Sequence, residues 1–102
     1  MTQQEIIAQI RDVKDFPVKG IIFKDITTVL SNPEYLKWMK DEIVNLYRAY
    51  GITKVVGIES RGFILGPAVA MDLGAGFVPV RKPGKLPAET IEVSYAKEYG
   101  VD

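Results

Sequence analysis

The chain has 102 residues, of which 47% are apolar and 25% charged, and its 13 basic side chains balance 13 acidic ones. This length allows one domain with a modest core, and the charge balance predicts no binding to nucleic acid or to a membrane surface. Cysteine and histidine are absent, which excludes disulfides, thiol catalysis and imidazole ligands for transition metals. Because no segment predicts a transmembrane helix or a signal peptide, we expect a cytoplasmic α/β protein.

The amino-terminal part of the chain predicts one short helix. Three isoleucines at helical spacing indicate an amphipathic helix over residues 3–12. This helix should end before Pro17, because the residue that precedes a proline is disfavoured in the helical conformation. Residues 18–25 (VKGIIFKD) then predict either a short extended piece or an ordered loop.

A second helix has a clear start. Ser31 or Asn32 can cap it, Pro33 suits its first turn, and Glu34 interacts favourably with the positive end of the helix dipole. Gly51 is well placed to end the helix in a left-handed conformation. Apolar side chains that recur every three or four residues predict one buried face, formed by Leu36, Met39, Ile43, Leu46, Tyr47 and Tyr50.

The following stretch predicts a strand, a helix and a second strand. Residues 52–58 are an apolar strand, residues 62–73 a crossover helix that contains Pro67, and residues 77–80 a second short strand. Such a unit is expected to be right-handed with a parallel strand pair. Two parallel strands leave two open sheet edges. We therefore expect the front part of a larger doubly wound domain, completed by further residues or by another chain.

Polar and charged residues follow both predicted strands. Glu59, Ser60 and Arg61 come directly after the first one, and ligands of open α/β sheets bind at the carboxyl ends of strands. Arg61 is thus placed to bind an anion, although an ion pair with Glu59 or a neighbouring acid is an alternative. Arg81, Lys82 and Lys85 follow the second strand; they form either an anion site or a solvated basic patch.

Two motifs resemble the adenine phosphoribosyltransferase family, namely Glu59-Ser60-Arg61-Gly62-Phe63 and Arg81-Lys82-Pro83-Gly84-Lys85-Leu86-Pro87. The likeness extends from Phe16 to Gly100. It implies an α/β fold that is part of a doubly wound parallel-sheet phosphoribosyltransferase fold with an amino-terminal hood segment. The implied domains are residues 1–33 as helix and hood, 34–81 as the helix–strand–helix–strand core and 82–102 as a flexible catalytic loop.

The resemblance implies roles for residues on both sides of the reaction centre. Ile22, Phe23 and Lys24 resemble the hood that holds adenine through backbone groups and an aromatic face, with arginine common at the position of Lys24. A small apolar core is the alternative explanation of the aromatic residue. Glu59, Ser60 and Arg61 resemble the pyrophosphate loop, which often carries a strained non-proline cis peptide, expected here between Glu59 and Ser60.

The basic cluster and the carboxyl-terminal segment complete the implied site. Arg81, Lys82 and Lys85 would contact the phosphates of phosphoribosyl pyrophosphate, partly across a dimer interface. Residues 94–100 (SYAKEYG) resemble the mobile catalytic loop, in which Glu98 is the candidate acid or base and Tyr99 helps to seal the site. An exposed, frayed tail is the alternative for this segment.

The activity implied by the resemblance forms AMP and pyrophosphate from adenine and phosphoribosyl pyrophosphate, in a homodimer, with Mg²⁺ bound through the substrate pyrophosphate and not to the protein. Arg61 and Glu98 would be catalytic. The family also has a later ribose-phosphate motif, two aspartates followed by Ala-Thr-Gly-Gly-Thr, which these 102 residues do not contain. The alternatives are a non-catalytic purine- or pyrophosphate-binding fragment, a dimerisation module, or an enzyme that uses xanthine or a pyrimidine.

Overall fold

The computed structural model of the chain describes residues 1–87 and 91, and the chain divides into two compact units, Met1–Ala49 and Tyr50–Asp102. The elements in chain order are α1 (Gln3–Gln9), β1 (Arg11–Lys14), β2 (Ile22–Asp25), α2 (Thr27–Leu30), α3 (Pro33–Tyr47), a 3-10 turn (Arg48–Tyr50), β3 (Lys54–Ile58), α4 (Glu59–Leu73) and β4 (Gly76–Val80). None of the helices in this described part has the length and apolar character needed to cross a membrane. The three-part division 1–33, 34–81 and 82–102 stays a prediction.

The first unit begins with α1, which is three residues shorter than the predicted helix over residues 3–12. The Thr2 hydroxyl caps it by accepting a hydrogen bond from the Glu5 N–H at 3.2 Å. The helix buries Ile6 and ends at Gln9, because Ile10 already has extended backbone angles and leads directly into β1.

An antiparallel hairpin follows, in which β1 pairs with β2 from Arg11 opposite Asp25 to Lys14 opposite Ile22. The predicted extended piece within residues 18–25 is therefore confirmed as β2, whereas its partner β1 was not predicted. The turn between the two strands requires left-handed backbone at Asp15 and Gly20. The Asp15 carboxylate accepts a hydrogen bond from the Gly20 N–H at 2.9 Å, which closes this turn.

Asp25 connects the hairpin to α2. It is only 8% exposed, and its carboxylate accepts hydrogen bonds from the Thr27 hydroxyl at 2.7 Å and the Thr27 N–H at 2.9 Å. The Arg11 guanidinium pairs with the same carboxylate across the hairpin. The hydrogen bonds from Thr27, followed by the contact with Arg11, lower the pKa of Asp25 from 3.8 to about 2.

This depressed pKa predicts that the first unit loses stability in acid. A carboxyl group with a lower pKa in the folded state stabilises that state above pH 3.8, and the stabilisation disappears as the pH falls from 3.8 towards 2. Urea unfolding should therefore show wild type more stable than Asp25→Asn at pH 6, with the difference shrinking at pH 2.5. A difference that stays the same at both pH values would contradict this assignment.

The start of α3 is confirmed as predicted. Asn32 is the cap, and its side-chain oxygen accepts hydrogen bonds from the N–H groups of Glu34 and Tyr35 at 2.9 and 3.3 Å, with Pro33 in the first turn. The predicted buried face was partly wrong, because Val44 is the fully buried residue and the last predicted members are exposed, namely Leu46, Tyr47 and Tyr50. Gly51 has the expected left-handed conformation at φ 64°.

The second unit contains the predicted parallel strand pair. β3 and β4 pair in register from Lys54 opposite Gly76 to Ile58 opposite Val80, and α4 connects them. The helix begins at Glu59, directly after β3 and three residues earlier than predicted. It includes Pro67 and ends at Gly74, which has φ 69°.

Three glycines allow α4 to lie directly against the sheet. A Cβ atom on Gly57 would stand 2.5 Å from the Phe77 ring and 2.7 Å from the Gly62 carbonyl oxygen, and a Cβ on Gly66 would stand 2.3 Å from the same ring. A Cβ on Gly62 would stand 2.6 Å from the backbone of Gly57. The Phe77 ring therefore occupies the space left by Gly57 and Gly66, while Gly62 allows the first turn of α4 to approach the backbone of β3.

Candidate functional site

The candidate anion site lies at the carboxyl ends of β3 and β4. Because Ile58 pairs with Val80, the residues that follow them, Glu59 and Arg81, leave the sheet at the same edge. Arg61 lies in the first turn of α4, which starts at that edge. The structure thus brings the two motifs predicted from the sequence to one edge of the parallel strand pair, where ligands of such sheets bind.

Glu59 makes the turn from β3 into α4 with unusual backbone geometry. Its φ is +48°, a left-handed conformation that costs a non-glycine residue about 1–3 kcal/mol. The predicted cis peptide between Glu59 and Ser60 is wrong, since the cis peptide bond among residues 1–87 joins Phe16 and Pro17. The left-handed Glu59 reverses the chain direction there instead. Strain of this kind clusters at ligand sites and persists where the surrounding packing enforces it.

The electrostatics of this edge favour an anion. α4 begins without a side-chain cap at Ile58, so the N–H groups of its first turn and the positive end of its dipole face the strand ends. Arg61 is exposed, and within residues 1–87 and 91 no ion pair joins it to Glu59 or to another acid. The Glu59 carboxylate works against these groups, and its Oε1 is buried with no hydrogen-bond partner in that part of the chain. Among the described residues Arg61 therefore does not form the ion pair that was the alternative to anion binding.

The basic cluster after β4 forms a compact turn. The Lys85 N–H donates to the Lys82 carbonyl at 3.2 Å, Gly84 has φ 83°, and Arg81 Nη1 donates to the Lys85 carbonyl at 3.5 Å. The Arg81 guanidinium also lies over the Phe63 ring, 5.8 Å from its centroid. All three cationic side chains are exposed, so the turn presents three positive charges beside the start of α4.

The residues predicted to form the hood, Ile22, Phe23 and Lys24, lie on β2 in the first unit. Phe23 is half-buried and packs edge-to-face against Phe16, with ring centroids 5.2 Å apart. Lys24 is exposed and pairs with Asp12 at 2.7 Å, while Ile22 is 60% exposed. In the described part of the chain β2 has a single strand neighbour, so half of its backbone groups point away from β1. These groups could hydrogen-bond the edge of a flat base.

Two predicted site residues belong to the carboxyl-terminal segment of the chain. Glu98 and Tyr99, like most of the predicted catalytic loop, lie outside the described residues. Within residues 1–87 and 91, no group of three or more acidic side chains comes together as a metal site would require. The contact of Phe63 with Arg81 was not predicted from the sequence. The available signal was the four-residue spacing of Gly62 and Gly66, which indicates close packing of the helix beside Phe63.

Comparison with known proteins identifies the class of fold. No family model matches the chain. The structure of an adenine phosphoribosyltransferase from Giardia lamblia, complexed with 9-deazaadenine, superposes with a TM-score of 0.93 at 48% identity and covers 99% of this chain and 57% of that one. The structure of an adenine phosphoribosyltransferase from Rhodothermus marinus superposes with a TM-score of 0.86 at 55% identity. The match covers 97% of this chain and 56% of that one. The chain therefore has part of a type I phosphoribosyltransferase fold, as expected.

The sequence relatives are more specific. Over all 102 residues the chain is 58% identical to an adenine phosphoribosyltransferase from Bacteroides fragilis and 55% identical to one from Helicobacter pylori, and it covers 57% of each. The resemblance to the adenine phosphoribosyltransferase family is thus confirmed along the whole chain. The chain spans a little over half the length of these curated relatives.

Proposed function

We propose that this chain supplies the amino-terminal part of an adenine phosphoribosyltransferase, which forms AMP and pyrophosphate from adenine and phosphoribosyl pyrophosphate in purine salvage. The observation that carries the proposal is the 58% identity over the full 102 residues. The Trypanosoma brucei relative, whose structure contains AMP, pyrophosphate and ribose-5-phosphate, superposes with a TM-score of 0.87 at 29% identity, covering 96% of this chain and 44% of that one. It supports the same substrates.

In this proposal the pyrophosphate group binds at the carboxyl ends of β3 and β4. Arg61 and the N–H groups at the start of α4 would donate hydrogen bonds to its oxygens, with the Ser60 hydroxyl and the strained Glu59 backbone completing the loop. Arg81, Lys82 and Lys85 would add positive charge. Charge builds up on the leaving pyrophosphate in the transition state, so donors held in place there lower the barrier.

The hood would hold adenine. The unpaired backbone edge of β2 at Ile22, Phe23 and Lys24 would hydrogen-bond the base, and the Phe23 ring would pack against its face. The ion pair of Lys24 with Asp12 favours a backbone role for that position over a side-chain role. Glu98 would transfer a proton at the purine, and Tyr99 would help to exclude water.

Magnesium fits this scheme as part of the substrate. Residues 1–87 and 91 contain no cluster of carboxylates that would hold a resident cation, whereas the oxygens of phosphoribosyl pyrophosphate are ligands that Mg²⁺ prefers. The ion would enter with the pyrophosphate and offset part of its charge. We further propose a cytoplasmic homodimer.

A chimera tests the proposal. Residues 1–102 replace the matching segment of the Bacteroides fragilis relative, of which this chain covers 57%, and AMP formation from adenine is followed by chromatography. We expect activity within about tenfold of the parent enzyme, because most side chains of this segment are identical.

Two further measurements on the chimera separate the alternatives, namely its activity with other bases and its binding of adenine. Hypoxanthine, xanthine and uracil should be used at least about a hundredfold less well than adenine, because unpaired polar groups at the base edge are costly. A folded chimera that binds adenine without forming AMP would favour a binding module. A preference for xanthine or uracil would contradict the assigned base.

A further inference from the structure

The exposed Arg81 side chain makes two contacts within its own unit. Long basic side chains on a surface keep much rotamer freedom, and ordering them on binding costs free energy. Here the guanidinium lies 5.8 Å from the centroid of the Phe63 ring, within the range of a cation–π contact. Its Nη1 also donates to the Lys85 carbonyl. Two contacts of different kinds therefore restrict the same group.

The Phe63 ring is itself fixed by the packing of the second unit. It meets the Phe77 ring edge-to-face, with centroids 6.0 Å apart and planes at 84°. Phe77 lies in the space left by Gly57 and Gly66, where an added Cβ would approach within 2.5 Å and 2.3 Å of its ring. Aromatic pairs in this geometry are favourable beyond their buried area. A continuous series of contacts thus runs from β3 and α4 to the Arg81 guanidinium.

Phe63 also lies close to Arg61 along α4. The two residues belong to the first turns of one helix, so the element that carries Arg61 also carries the ring that holds Arg81. A cation–π contact uses the guanidinium charge but none of its N–H groups. The donors of Arg81 other than the one directed at Lys85 keep their capacity to bind phosphate oxygens.

We propose that Phe63 is a positioning residue, whose ring holds the Arg81 guanidinium at the pyrophosphate end of the proposed site and couples it to the helix that carries Arg61. This inference rests on the proposed function, since it needs a pyrophosphate group beside Arg81. Preorganising Arg81 in this way reduces the entropy that anion binding would otherwise lose.

The test measures binding of inorganic pyrophosphate, by isothermal titration in the presence of Mg²⁺, to the chimera that carries residues 1–102; wild type here is the chimera in which these residues are unchanged. Four proteins form a double-mutant cycle: wild type, Phe63→Leu, Arg81→Ala and the double variant. Phe63→Leu should weaken binding about two- to fivefold, the range expected for an exposed cation–π contact. In the Arg81→Ala background the same change should have no further effect, and Phe63→Tyr should bind as wild type does.

A second series changes the packing at position 63 less than Phe63→Leu does. Phenylalanine is replaced there by its mono-, di- and pentafluorinated analogues, which keep the ring but progressively weaken the negative charge of its face. Affinity for pyrophosphate should fall stepwise with fluorination, and should not change in the Arg81→Ala background. Equal losses in both backgrounds, or a flat response in wild type, would overturn the positioning role alone. Absence of pyrophosphate binding by wild type would overturn the proposed function together with it.

Discussion

Replacing Arg61 by alanine in the chimera is expected to lower kcat/KM for phosphoribosyl pyrophosphate by about 10²–10³-fold, the loss typical of removing one donor to developing negative charge. Arg61 lies in the first turn of α4, and the described residues provide it with no ion pair that would neutralise its charge. Arg61→Lys should recover part of the activity, because lysine keeps the charge but loses the bidentate donor geometry. Steady-state kinetics with varied phosphoribosyl pyrophosphate measures both effects.

The matched control is Arg48→Ala, which removes an exposed arginine from the 3-10 turn in the same chimera. It should change kcat/KM by no more than about twofold, as surface changes away from a site usually do. Circular dichroism confirms that each variant is folded. Near-normal turnover by Arg61→Ala would remove Arg61 from the proposed catalytic residues.

Replacing Gly57 by alanine is expected to lower the free energy of unfolding by about 3 kcal/mol, at the upper end of overpacking effects. The new Cβ would meet the Phe77 ring at 2.5 Å and the Gly62 carbonyl oxygen at 2.7 Å. The carbonyl belongs to the backbone of α4, so it cannot move aside without displacing the helix start that carries Glu59 and Arg61. Urea denaturation of the 102-residue chain measures the loss.

Gly76→Ala provides the control for this change. It lies on the neighbouring strand in register with Lys54, and the nearest atom to its new Cβ is the Lys54 Nζ at 3.3 Å, the end of a flexible side chain. We expect a change within about 0.5 kcal/mol. If Gly57→Ala were as stable as Gly76→Ala, the close packing of α4 on β3 would be contradicted.

Local sequence signals predicted some elements well and missed others for an identifiable reason. The start of α3 was predicted because a cap, a proline and an acid act within four residues of one another. β1 and α2 were missed because they depend on Asp25, which pairs with Arg11 across the hairpin and accepts a hydrogen bond from the Thr27 N–H. Pairing over fourteen residues leaves no mark in a local pattern.

The length of α4 shows the same limit. The polar residues after β3 predicted a turn of several residues before the helix, but the helix begins at Glu59. The close approach of Gly62 to the backbone of Gly57 accompanies this early start, and it depends on the absence of a side chain at both positions. At the same turn Glu59 is left-handed, in place of the predicted cis peptide.

The sequence by itself determined the family resemblance, the parallel strand pair and the positively charged residues of the candidate site, because motifs, apolar runs and charges are properties of neighbouring residues. The tertiary structure decided which of these residues meet. The pairing of Ile58 with Val80 places Glu59 and Arg81 at one edge, and the packing of Phe77 between the strand and the helix sets Phe63 against Arg81. Such contacts depend on the register of the strands and on the space that glycines leave for a neighbouring ring. Both are defined only when segments that are distant in the sequence pack together.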